Sequence, residues 1–240
     1  MKNKFLNNYE IFKYLISNER YKITFLIMVF MCIYGRLCIP VQIDLGSAII
    51  TPLTFPLFHY VLLVVFTYNT MMVCKTFFGE FNELFIRYRT KKEKIKIVIF
   101  NVFNLTLFSL LIFLILYFSI IIFTYSPSDY SIVPYNDSSL ICSIYYIIKI
   151  SVILILFQII NALFYFLFEE KLIVVVLLYF IPFYLHPFSN INKFYSFAPW
   201  LHQLSFIWSD LNTDILSFTL CIFFLIIILF LLYKICRRKV

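Results

Sequence analysis

Charge and glycine are what this sequence has least of. Only 13% of its 240 residues are Asp, Glu, Lys or Arg, against 63% hydrophobic, where a soluble domain carries roughly one-quarter charged residues. Too few charges remain to cover a water-facing surface, so a soluble globular domain is excluded. The three glycines, Gly35, Gly46 and Gly79, stand far apart, which excludes a glycine-rich phosphate cradle. Three histidines, His59, His186 and His202, are scattered, and neither an HExxH nor a GxSxG pattern occurs. The six cysteines, Cys32, Cys38, Cys74, Cys142, Cys221 and Cys236, show no CxxC spacing and no histidine cluster beside them. They read as small buried hydrophobes rather than metal ligands. No catalytic centre, bound cofactor or metal is expected in this chain.

What the chain has instead is apolar length. Residues 103–124, 152–168 and 215–233 are runs that approach or exceed the roughly 17 to 25 residues a helix needs to cross about 30 Å of hydrocarbon. With the shorter apolar stretches they predict an all-α polytopic membrane protein of about six transmembrane helices, near 23–40, 55–76, 97–125, 140–167, 172–188 and 215–233. The whole of 1–240 is then one transmembrane domain, with no repeat or linker. The first apolar run follows a stretch containing Glu10 and Glu19 and precedes no small-x-small site, so it is expected to be retained as a span.

The formal charge of +8 lies in clusters, and their positions give the orientation. Lys2, Lys4, Lys13, Arg20 and Lys22 precede the first span, Lys75, Arg87, Arg89, Lys91, Lys92, Lys94 and Lys96 surround one loop, and Lys234, Arg237, Arg238 and Lys239 close the chain. Even numbers of spans separate these clusters, which predicts both termini in the cytoplasm. Segment 126–139 holds Pro127, Asp129, Pro134 and Asp137 but no Lys or Arg, as an external loop should. Segment 189–214, with Trp200, His202 and Trp208, is expected outside as well, on the membrane surface. Glu169, Glu170 and Lys171 form a short cytoplasmic turn. A Glu-Glu pair also occurs in CAAX-type membrane proteases, but the arginine of that motif is replaced here by Val174.

Two segments have helical amphipathicity outside the spans. In 5–19, Phe5, Tyr9, Phe12 and Ile16 fall on one face, the pattern of an interfacial helix; a solvated tail is the alternative. In 77–96, Phe77, Phe81, Leu84, Phe85 and Tyr88 form an apolar stripe, with Glu80, Glu83 and Arg87 elsewhere on the circumference and Glu83 and Arg87 spaced as an i,i+4 pair. The lysines after it suit anionic headgroups.

The order of these parts, together with the stretch EFNELFIRYRTKK beginning at Glu80, resembles the membrane subunit of an ATP-binding cassette (ABC) exporter of the type-2 exporter permease family, and is similar to small bacterial peptide-export permeases. The resemblance implies that Phe77, Glu80, Phe81, Glu83, Leu84, Phe85, Arg87 and Tyr88 belong to a coupling helix that seats in a separate ATPase subunit. That subunit would hold the ATP and Mg, and a second permease copy or homologue would complete the path. It also implies a bacterial cytoplasmic membrane and a hydrophobic or amphipathic cargo, plausibly an antimicrobial or toxic peptide. The competing expectation is a membrane interaction or immunity protein that does not pump.

Polar residues inside the spans are the remaining candidates for substrate contact. Arg36, with Asp44 nearby in sequence, and Lys149 are costly in hydrocarbon unless they snorkel, pair or face water, and snorkelling is what is expected of each. Asn101 and Asn104, with Gln158 and Asn161, are expected to join helices by hydrogen bonds worth about 0.6 kcal/mol each. The 31 Phe and 18 Tyr do not identify a cargo, because AT-rich codons also favour them.

Overall fold

The computed structural model describes residues 8–37, 46, 49, 56–78, 91–124, 139–168 and 211–239. All the described elements are α-helices: α1 (Asn8–Ser17), α2 (Glu19–Leu37), α3 (Pro56–Phe78), α4 (Lys91–Thr124), α5 (Ser139–Phe168) and α6 (Leu211–Lys239). Three of them contain stretches long and apolar enough to cross a membrane, Lys92–Thr124, Ser143–Leu167 and Phe218–Arg237, and Tyr21–Tyr34 and Val61–Phe77 are shorter apolar helices. The expected span 172–188, the segment 189–210 and residues 79–90 lie outside the described residues.

Polarity in these helices is arranged inside out relative to a water-soluble protein. Thr24, Thr67, Asn69, Thr70, Thr76, Asn101, Thr106 and Ser109 are buried, while Leu111, Ile115, Ile122, Phe223 and Phe230 are exposed. Hydrocarbon in place of water makes this the stable arrangement, since backbone and polar side chains must be satisfied within the protein. The apolar helices and the outward-facing hydrocarbon side chains together identify an integral membrane protein.

The chain forms two compact units, 1–143 and 144–240. In the first, α2, α3 and α4 pack against one another, and α1 packs on α2 and α4. The break between α1 and α2 is the single residue Asn18, whose carbonyl accepts from the backbone N–H of Tyr21 at 3.0 Å. Helix α1 is therefore anchored to protein: Leu15 is fully buried, and Phe12 meets Phe108 of α4 edge-on with ring centroids 5.5 Å apart. Helices α3 and α4 meet where Asn69 faces Ser109, and earlier in the chain the Ile49 carbonyl accepts from Tyr117 of α4.

Helix α4 begins at Lys91, six residues before the expected start of span three, so the lysine cluster is its first turns and not loop. No helix-breaking residue separates Lys91 from Ile97, and Lys and Glu are good helix formers.

In the second unit α5 and α6 run parallel. Tyr145 and Phe218, near the two N-terminal ends, meet edge-on with centroids 6.1 Å apart, and near the C-terminal ends the Cys236 thiol donates to the Leu163 carbonyl at 3.4 Å. These contacts share one sequence offset and lie about 27 Å apart along each helix, at roughly 1.5 Å per residue. Helix α6 uses a single seam of Phe218, Cys221, Leu225, Leu232 and Cys236, and most of its remaining side chains are exposed. Ala162 of α5 is fully buried, a small side chain that lets backbones approach. Ala162→Leu should cost about 1–3 kcal/mol through overpacking, read as a lower thermal-aggregation midpoint in detergent, while Leu216→Ala on the exposed face of α6 should leave it unchanged.

Candidate functional site

The polar residues enclosed by the helices form two groups, one in each unit. The first centres on Ser109, which is fully buried in α4. Its hydroxyl lies 3.2 Å from Tyr21 Oη of α2, and Asn69 Nδ2 of α3 donates to it at 3.5 Å. One serine thus meets all three helices of the bundle. The Tyr21 contact is the stronger, because 3.5 Å is at the limit for a hydrogen bond. Tyr21 and Asn69 are themselves only 4% and 2% exposed, so neither can turn to water. Asn69 Oδ1 is left as a buried acceptor with no donor among the described residues.

Eight residues below Ser109 on α4, Asn101 donates from Nδ2 to the Ile97 carbonyl of its own helix at 2.9 Å, and its Oδ1 is also without a donor. The interhelical role expected of Asn101 is not the one it takes. The bond that ties helices falls to Tyr21, Asn69 and Ser109, none of which was singled out from sequence. Thr24, Thr70 and Thr106 are buried on the same three helices, and the Thr24 and Thr70 hydroxyls donate to carbonyls of their own helices. The Tyr21, Asn69 and Ser109 cluster accepts and donates hydrogen bonds but pairs no nucleophile with a base. Among the described residues no group of His, Cys, Asp or Glu could hold a metal ion.

The second group is on α5. Lys149 is 2% exposed, so its side chain is enclosed by protein; the snorkelling expected of it does not occur. It lies within electrostatic reach of Cys221 on α6. Asn161 Nδ2 donates to Gln158 Oε1 at 3.2 Å, a bond one turn apart within α5. At roughly 100° per residue, Gln158 falls on the face opposite Lys149, so the expected polar residues of α5 do not converge on one point.

Of the remaining candidates, Phe77 is buried at the end of α3, and the backbone of Arg36 lies in the last turn of α2. Asp44, Glu80, Phe81, Glu83, Leu84, Phe85, Arg87 and Tyr88 lie outside the described residues. Cys32, Cys74, Cys221 and Cys236 are buried and free, as expected of cysteines used for packing. No protein-family model, curated protein or solved structure matches the chain.

Proposed function

We propose that the chain is the permease subunit of an ABC exporter in a bacterial cytoplasmic membrane, moving a hydrophobic or amphipathic substrate such as a peptide with energy from a separate ATPase subunit. The observation that carries this reading is the packing of α3 against α4, the two helices on either side of the amphipathic 79–90 sequence. A segment held between two packed helices moves them when it is moved, which is what coupling to an external motor requires. The chain's lack of a phosphate-binding loop is consistent with an engine on another subunit.

The parallel course of α5 and α6 supports the finer topology. Two parallel helices that both cross a bilayer need an odd number of crossings between them, and one such crossing gives six spans. Lys234, Arg237, Arg238 and Lys239 at the end of α6 favour the cytoplasmic side for that end. Two permease copies, or this chain and a homologue, would enclose the path.

The experiment is affinity purification of the full chain from its native membrane in mild detergent. The expected result is a stoichiometric ATPase whose turnover responds to added peptide, with association lost in the triple variant Phe81→Asp, Leu84→Asp, Phe85→Asp. Persistent absence of any ATPase would favour a binding or immunity protein, and an intact complex with the triple variant would overturn the coupling assignment.

A further inference from the structure

We infer that Gly46 and Ile49, between α2 and α3, lie on a turn that re-enters the membrane, and that the hydroxyls of Tyr117 and Ser143 are the latch that holds it there. Both residues are helical and buried, although the sequence leaves them between two expected spans. The Ser143 hydroxyl, near the start of α5, donates to the Gly46 carbonyl at 2.9 Å, and the Tyr117 hydroxyl of α4 donates to the Ile49 carbonyl. Ser143 and Tyr117 are themselves 1% and 2% exposed. The two carbonyls are about one helical turn apart in sequence.

The depth of the turn follows from α4. Phe12 rests on Phe108 at 5.5 Å and Tyr21 reaches Ser109 at 3.2 Å, while Lys13 and Lys22 beside them are exposed. Those ammonium groups must reach water, so the Ser109 level lies within a side chain, on the order of 6 Å, of one membrane boundary. A hydrocarbon core of about 30 Å then extends about 24 Å past Ser109, and the helix from Ser109 to Thr124 covers about 22 Å of it. Tyr117 lies about 12 Å past Ser109, near the middle of the core. Its ring stacks on Phe113, one turn back, with centroids 5.7 Å apart, as helical side chains lean toward the N-terminal end. The Ile49 carbonyl therefore sits about 10 Å inside the far boundary. Helix α2 has already reached that boundary. Tyr21 to Leu37 is about 24 Å of helix, and the exposed Ile23, Leu26 and Phe30 require it to run through hydrocarbon and not back into water.

Backbone at this depth must be satisfied by protein, and a short turn leaves its last carbonyls without intrahelical donors. Two side-chain hydroxyls meet that need here. Asp44 is the single charge in residues 41–55, so the sequence carries little that opposes entry into hydrocarbon. Because the bonds come from α4 and from the start of α5, a shift of either is transmitted to the turn. The inference needs neither an ATPase nor a transported substrate.

The test is thiol labelling of the full chain in membrane vesicles opened by freeze–thaw, so that a membrane-impermeant maleimide reaches both faces. Cys38 and Cys142 are replaced by Ser, and one cysteine is introduced as Ile49→Cys, Ile115→Cys or Lys13→Cys. Ile115 is 65% exposed on another face of α4, at the level to which the Tyr117 ring leans, and reports whether lipid covers that level. Lys13→Cys should label fast, and Ile49→Cys and Ile115→Cys at least tenfold more slowly. With Tyr117→Phe and Ser143→Ala together, Ile49→Cys should label at least tenfold faster than before while Ile115→Cys stays slow. Each single variant should give an intermediate rate, which tests the latch even if the pair together fails to accumulate. Fast labelling of Ile49→Cys with both hydroxyls present, or of Ile115→Cys, would place that level in water and overturn the re-entry. Slow labelling of Ile49→Cys after the hydroxyls are removed would overturn the latch. None of these outcomes bears on whether an ATPase co-purifies.

Discussion

Ser109→Leu should abolish the folded first unit, whereas Ser109→Thr should be tolerated and Ser109→Ala should fall between them. Leucine removes the partner that Tyr21 Oη and Asn69 Nδ2 share and adds volume where the site has none to spare, since Ser109 is fully buried. Two opposing magnitudes decide the size. Hydrogen bonds between membrane helices average only about 0.6 kcal/mol, so the loss of bonding alone is modest. A buried polar group left without a partner costs about 1–3 kcal/mol, and overpacking adds a similar amount. The sum for leucine is on the order of 3 kcal/mol or more, a large part of a typical domain's 5–15 kcal/mol. Alanine spares the overpacking but leaves the same two groups without their partner, so it should cost about 1–3 kcal/mol. Thermal aggregation of the purified chain in detergent should rank threonine nearest to wild type, then alanine, with leucine failing to accumulate in the membrane. A leucine variant as stable as the original would show that the Ser109 contacts hold nothing together.

The same cluster shows what could and could not be seen in the amino-acid sequence. The helices of α4, α5 and α6 were legible because apolar length is a local property, and the four described cysteines are buried as their apolar neighbours suggest. The amphipathic start of the chain was legible too, although Leu15, which α1 buries completely, is not on the stripe of Phe5, Tyr9, Phe12 and Ile16. What stayed hidden depends on distant partners. Ser109, Asn69 and Tyr21 are ordinary residues in sequence, separated by 40 and 88 positions, and nothing local says that one serine meets three helices. Lys149 looked like a residue reaching for the surface because its burial is set by α6 and its other neighbours. Asn101 bonded its own turn, the nearest acceptor available to a short amide side chain. Of the coupling stripe, only Phe77 is among the described residues.

The parallel pair α5 and α6 was implied only indirectly, by the expectation of spans four and six with one crossing between them. It is also where the architecture is most exposed to contradiction, because the central claim, a six-span permease with both ends inside, requires α5 and α6 to cross in the same sense. Two contacts with a common offset, Tyr145 with Phe218 and Leu163 with Cys236, fix that sense. An antiparallel pair would bring the start of α5 beside the end of α6, which neither contact allows.

Side-specific labelling reads this directly, with all-or-none outcomes. In a background with Cys38 and Cys142 changed to Ser, single cysteines at Ser139 and Leu211 mark the N-terminal ends of the two helices, and those at Glu169 and Lys239 mark the chain just after α5 and the end of α6. In vesicles of defined orientation, Ser139→Cys and Leu211→Cys should react with an impermeant maleimide only from outside, and Glu169→Cys and Lys239→Cys only from the cytoplasmic face. Reaction of Glu169→Cys and Lys239→Cys from opposite faces would contradict the parallel pair, and with it the six-span topology on which the permease assignment rests.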